Sequence, residues 1–189
     1  MKFLIIMSFV FLSTQAQELG QQNTYKVIQI IEKIEIREYR PLLFASYIEG
    51  SGLRDQNSSF RVLADYIFGS NKKSENIAMT SPVVIRLFNN NEMLFRMPDN
   101  YSKENVPIPN NNNVTFVETN YVKKAVISYS GYTNVQKEKK KIEELKIILE
   151  KNNIAHNNKF ELFVYDPPYK LFNRLHNLIA KLSICYWIT

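Results

Sequence analysis

Histidine and cysteine are nearly missing from this chain of 189 residues, which holds two of the first and one of the second. A lone cysteine, Cys185, excludes an intramolecular disulfide framework and any cysteine-rich zinc module. Two histidines, His156 and His176, exclude a histidine-rich metal cage. Glycine is scarce at five, and no phosphate-cradling glycine loop, G-x-S-x-G elbow or H-E-x-x-H pair occurs. Aspartate and glutamate fall singly on the expected strands and helices, so no carboxylate pair for acid–base chemistry is placed together by the sequence. Cys185 lies in the apolar tail 182–188 and reads as a buried, inert thiol, not as a nucleophile served by His176.

What the chain does have is bulk. Twelve Phe and eleven Tyr can fill a core, and 45% apolar with 22% charged residues is near the globular average. The length suits one domain. The start, Met1-Lys2, then Phe3 to Leu12, then Ser13-Thr14-Gln15-Ala16-Gln17, has the basic, apolar and small-residue order of a secretory signal peptide cut after Ala16. The apolar run is too short for a membrane span, which takes roughly 20 residues, and no later segment is apolar enough. The expected layout is a signal peptide at 1–16, a polar lead at 17–24 and a single domain at 25–189, secreted or periplasmic.

Lys26–Glu38 and Leu42–Glu49 read as strands. Phe60, Leu63, Ala64 and Ile67 follow the helical i, i+3, i+4, i+7 rule, with Asn57, Ser58 or Ser59 as cap and Gly69 as terminator. Ile77–Leu87 and Glu92–Met97 read as strands around an asparagine turn, and 98–113 as a loop. The pattern then restarts. Val114–Glu118 and Lys123–Tyr129 are expected strands, and Asn134–Lys151 a helix opened by a Thr133-x-x-Gln136 capping box. Phe160–Tyr165 and part of Leu178–Tyr186 are expected strands. Each half reads strand, strand, helix, strand, strand, so the expected fold is α+β with an antiparallel, rolled or closed sheet.

The formal charge is +6, and much of the excess sits at Lys137–Lys141 on the second helix. Glu138, Glu143, Glu144 and Glu150 offset it, with Lys139/Glu143 and Lys140/Glu144 at four-residue spacing. The run reads as a solvated helix face, not as a nucleic-acid stripe. Neutral imidazole is a common metal ligand, which makes His176 the candidate iron ligand and His156, in a polar loop, a second. Met79 and Met97 read as core.

Several strings occur in a telling order. They are Ile36-Arg37-Glu38-Tyr39-Arg40-Pro41; Phe60-Arg61-x-Leu63-Ala64-x-Tyr66-Ile67-Phe68-Gly69-x-Asn71; Ile77-Ala78-Met79-Thr80-Ser81-Pro82-Val83; Phe95-x-Met97-Pro98-x-x-Tyr101; Pro107-x-Pro109; Ala125-Val126-x-x-Tyr129-Ser130-Gly131; and Tyr165-Asp166-Pro167-Pro168. From about Tyr25 to Asn177 the chain closely resembles the SOUL heme-binding protein family. The resemblance implies a distorted eight-stranded antiparallel β-barrel with two flanking helices and pseudo-duplicated ββαββ halves. It also implies non-covalent binding of heme or another tetrapyrrole, as a carrier or buffer and not as an enzyme. By position it assigns Phe60, Leu63, Ala64 and Ile67 to the ring face and Lys170 to a propionate.

The chain departs from that family at two places. Asp65 stands where some relatives carry a basic residue, and Leu175-His176-Asn177-Leu178 stands where the family usually has Arg-Arg-Asn-Glu. Both departures favour an alternative, a binding module for another amphipathic small molecule or a protein partner with heme binding lost. The strings that carry the resemblance have a structural use too, because prolines and small residues fix strand ends and corners.

Overall fold

The computed structural model describes residues 24–49, 56–88, 90–166 and 175–182. The expected signal peptide, Pro167-Pro168, Lys170 and Cys185 lie outside them. Nine strands and two helices follow in the order β1 (Tyr25–Ile31), β2 (Ile34–Tyr39), β3 (Leu43–Tyr47), α1 (Gln56–Ile67), β4 (Val83–Arg86), β5 (Glu92–Arg96), β6 (Val114–Glu118), β7 (Val122–Ser130), α2 (Val135–Lys151), β8 (His156–Val164) and β9 (Leu175–Leu182). All pairings are antiparallel.

The expected count of eight strands is corrected to nine, because Lys26–Glu38 is a hairpin and not one strand. Its turn is Glu32-Lys33, with Glu32 at φ 53, a left-handed conformation uncommon for a residue with a side chain. Neither residue is a turn former, but both are tied to α2. Lys151 Nζ donates to Glu32 at 2.8 Å, and Lys33 pairs with Glu144. The strand expected over Ile77–Leu87 shortens to Val83–Arg86. Ahead of it the chain folds back on α1 and β5, with Ile77 N–H donating to Ile67 O at 2.7 Å and Thr80 Oγ1 to Arg96 O at 2.5 Å.

The nine strands form one sheet in the order β1-β2-β7-β9-β8-β4-β5-β3-β6. Set β1 aside, and the halves β2-β3-α1-β4-β5 and β6-β7-α2-β8-β9 exchange under a two-fold. Swapping β2 with β6, β3 with β7, β4 with β8 and β5 with β9 reverses the sheet order and leaves it otherwise unchanged. The helices obey the same exchange, since α1 packs on β3 and β5 and α2 on β7 and β9. The duplication read from element order is thus present in the topology. Closure is not: among the described residues β1 and β6 share no ladder, so the sheet is open where a barrel was expected.

Strand alternation gives the sheet two buried faces. On the outer face the helices cover Ile34, Ile36, Ile85, Phe95, Ile127, Leu162 and Leu178 with Leu63, Tyr66, Ile67, Leu145, Ile148 and Leu149. On the inner face Tyr39, Phe44, Val84, Leu94, Val126, Phe163, Tyr165 and Ile179 form a second cluster, over which neither α1 nor α2 packs.

Helix α1 ends as expected at Gly69, whose φ is 110. Ser70 N–H reaches back to Asp65 O at 2.9 Å, the bond of a Schellman close. The cap of α2 is Asn134 and not Thr133. Asn134 Oδ1 accepts from Lys137 N–H at 2.8 Å, while Thr133 Oγ1 contacts the Tyr129 hydroxyl at 2.9 Å. The expected pairs Lys139/Glu143 and Lys140/Glu144 give way to Lys141–Glu144 at 2.7 Å and Lys146–Glu143 at 3.2 Å, at three-residue spacing.

Candidate functional site

The four helix residues assigned to a ring face separate into two pairs. Leu63 and Ile67 are 0% and 2% exposed, pressed into the outer-face core. Phe60 and Ala64 are half-buried along the helix flank, and Phe60 packs edge-on against Phe95 with ring centroids 5.1 Å apart. Only the second pair can touch a ligand while the helix keeps its seat.

The same flank continues beyond the residues that the sequence singled out. Phe68 N–H donates to Ala64 O at 2.9 Å, carrying the helical hydrogen bonding one residue past the end of α1. Phe60, Ala64 and Phe68 therefore lie four apart on one side, and Phe68 is 67% exposed. Exposed Ile108 lies at the same end, because Lys72 N–H donates to Ile108 O at 2.8 Å. Phe68 escaped the sequence reading because Gly69 closed the helix pattern just after it. The four-residue spacing was the available signal. Arg61 and Asp65 are exposed beside this apolar strip.

His176 is elsewhere. It lies on β9, 1% exposed, on the helix-covered face with Leu178. Its ring stacks on Tyr129 at 5.4 Å and 15°. An imidazole so enclosed reaches an iron only if β9 or Tyr129 moves. His156 is half-buried at the start of β8, and Asn158 N–H donates to its Nδ1 at 3.2 Å. That bond leaves the proton of the neutral ring on Nε2. Burial, then the Lys146 charge, pushes its pKa down, so the ring is neutral at pH 7. Neither histidine belongs to α1: His176 lies on β9 and His156 at the start of β8. Accordingly, His176→Ala is expected to lower the unfolding midpoint through loss of the Tyr129 stack while leaving the spectrum of added hemin unchanged. A circular-dichroism melt and a Soret scan of the variant check both halves. Among the described residues no cluster of three or more His, Cys, Asp or Glu could hold a metal ion.

The strings that carry the resemblance do local structural work. Asn71 is 2% exposed and fully engaged, its Nδ2 donating to Tyr66 O at 3.2 Å and Glu75 O at 2.8 Å and its Oδ1 accepting from Lys73 and Glu75 N–H, both at 3.1 Å. Tyr66 donates its hydroxyl to Pro107 O at 2.9 Å, pinning the 98–113 loop to α1. Asp166 Oδ2 accepts from Leu175 N–H at 2.7 Å, setting the start of β9.

A second polar feature crosses the inner face. Glu161 accepts from Lys124 Nζ at 2.5 Å and from Arg86 Nε at 3.3 Å. Arg86 also donates to Glu92 at 3.0 Å, and Ser46 Oγ donates to Glu92 at 2.5 Å. The charges so linked span β7, β8, β4 and β5, and the Ser46 hydroxyl extends the chain to β3. Sequence could not have placed it, because it depends on strand register.

Comparison with known proteins follows the same lines. The family model described as "SOUL heme-binding protein" matches residues 20–180. Heme-binding protein 1 of Xenopus laevis is 27% identical over 168 residues, 82% of this chain and 88% of that protein. Among solved structures, the EcmrR C-terminal domain aligns with a TM-score of 0.57 at 11% identity, covering 84% of this chain and 98% of that one. A hydrolase from Listeria innocua aligns with a TM-score of 0.56 at 10% identity, covering 82% and 94%. At such identities the two structures share a fold with this chain, and the likeness extends no further.

Proposed function

Since the chain belongs to the SOUL heme-binding protein family, we propose that it is a non-catalytic binding protein for heme or a related tetrapyrrole. In this reading it is exported by the leader at residues 1–16 and carries or buffers its ligand. The observation that carries the proposal is the family match over residues 20–180, joined by the heme-binding protein of Xenopus laevis. The open sheet serves as the bed of α1, which packs on β3 and β5.

A flat macrocycle needs an apolar strip with cations near its propionates. Phe60, Ala64 and Phe68 supply the strip, backed by buried Leu63 and Ile67, and Lys170 is the proposed propionate partner. Bound heme would bring a redox-active iron and a strong Soret band. With His176 enclosed against Tyr129, the protein's contribution is to hold the ring by its face. Titrating hemin into the purified chain should give a saturable, red-shifted Soret band. A flat titration, or one matching an unrelated protein of equal charge, refutes the proposal.

One observation favours a second reading. Asp65 stands exposed beside Ala64 on α1, where its carboxylate would repel a propionate. On that basis the flank would take another amphipathic small molecule or a protein partner, and mass spectrometry of co-purifying ligands would find a compound other than a tetrapyrrole.

A further inference from the structure

The register of the inner face sets three cations in a row. Arg37 on β2 stands directly opposite Lys124 on β7, and Lys124 stands directly opposite Lys181 on β9. Directly opposed residues share a face, with Cβ atoms about 4.5–5.5 Å apart, and like charges so placed destabilise a sheet. Two of the three are compensated. Arg37 donates to Glu35 at 2.7 Å and lies 4.3 Å from the Tyr25 ring. Lys124 is 7% exposed, pairs with Glu161, and sits 5.3 Å from the Tyr39 ring and 5.1 Å from the Phe163 ring. Lys181 is exposed and has no carboxylate partner among the described residues.

That third cation opens onto a cleft of about 640 Å³, within the roughly 300–1,000 Å³ of small-molecule sites. Lys124, Glu161 and Arg86 line it together with Lys181, Lys123 and Tyr121. Tyr121 is 74% exposed, a ring outside both core clusters of the described residues. Three carboxylates line the cleft as well, Glu38, Glu118 and Glu161, of which Glu161 holds both Lys124 and Arg86 and Glu118 pairs with Lys103 at 3.5 Å. At the Lys124–Lys181 end an incoming cation would meet like charge, because the Glu161 carboxylate there is already shared between Lys124 and Arg86. An incoming anion would separate those two like charges, in a setting where partial desolvation strengthens the attraction.

We propose that this cleft binds a small amphipathic carboxylate, its charged end between Lys181 and Lys124 and its apolar body against Tyr121. None of the lining residues belongs to α1, so the site is separate from the tetrapyrrole flank and stands whether or not heme binds there.

The probe is 1-naphthoate, titrated into the purified chain by calorimetry and by NMR shift mapping, with 1-naphthamide as the uncharged isostere. Naphthoate should bind saturably and at least tenfold tighter than the amide, with shifts at Tyr121–Lys124 and Lys181, and its affinity should fall as salt is raised. Lys181→Glu should weaken it at least tenfold and Lys181→Arg should keep it. Because Lys181 is exposed, Lys181→Arg should melt with the wild type and Lys181→Glu no lower than it, since glutamate there faces Lys124 with the opposite charge. Equal binding of acid and amide overturns the proposal, as does a Lys181→Glu variant that binds like wild type. Displacement of naphthoate by hemin would overturn the separation of the two sites.

Discussion

Replacing Glu161 by alanine is expected to cost about 3–5 kcal/mol, the usual consequence of removing one partner of a buried ion pair. The Glu161 side chain is 12% exposed, between Lys124 at 9% and Arg86 at 20%. Without it Lys124 would stand between Arg37 and Lys181 with only aromatic faces beside it, and Arg86 would keep Glu92 alone. A loss of that size is a large part of the 5–15 kcal/mol that typically holds a domain folded. Urea melts of the wild type and the variant measure it. A loss under about 1 kcal/mol would place the pair with solvent-screened surface bridges and contradict the buried network.

The same group gives the acid limb of stability its sign. Burial pushes the Glu161 carboxyl up, but Lys124 and Arg86 together outweigh it and hold the group below the ordinary carboxylate range. A folded pKa below the unfolded one contributes stability in full above the unfolded value, about 4.3 for glutamate, and loses it as pH falls through the folded value. Stability should therefore decline below about pH 4, more steeply in the wild type than in Glu161→Gln.

Leu63→Ala carries the second large effect, about 2–5 kcal/mol. The resemblance places Leu63 on a ligand face, yet its side chain is wholly buried in the cluster that holds Leu43, Tyr66 and Phe95. Truncating it opens a cavity between α1 and the sheet, so the loss should appear in a thermal or urea melt. Hemin affinity of the molecules that remain folded should hardly change. Phe68→Glu is the complement. Phe68 is 67% exposed and lies outside both core clusters, so stability should stay within about 0.5 kcal/mol while ligand affinity falls. If Leu63→Ala leaves stability untouched and abolishes binding, the division of α1 into core and ligand sides is wrong.

The contrast between these residues shows what the sequence could carry. Helical spacing joined Phe60, Leu63, Ala64 and Ile67 correctly, but a period says which residues share a side and not which edge of that side stays open. The two halves were legible in element order because each strand and helix has its own period. The β1–β2 hairpin was not, because Glu32-Lys33 has no turn chemistry and is tied down by Lys151 and Glu144, more than a hundred residues away. Thr133 and Asn134 are both good caps, and their competition was settled by the Tyr129 hydroxyl taking Thr133. The inner-face charges looked like unrelated residues on separate strands, since only antiparallel register brings Arg37, Lys124 and Lys181 into line.

The central claim is that a tetrapyrrole lies against the α1 flank. Hemin titrated in parallel into the wild type and Phe68→Glu, followed at the Soret band, tests it most directly. The account predicts saturable binding by the wild type and at least tenfold weaker binding by the variant, with both proteins equally folded. No saturable shift in the wild type, or identical curves for the two, would contradict it.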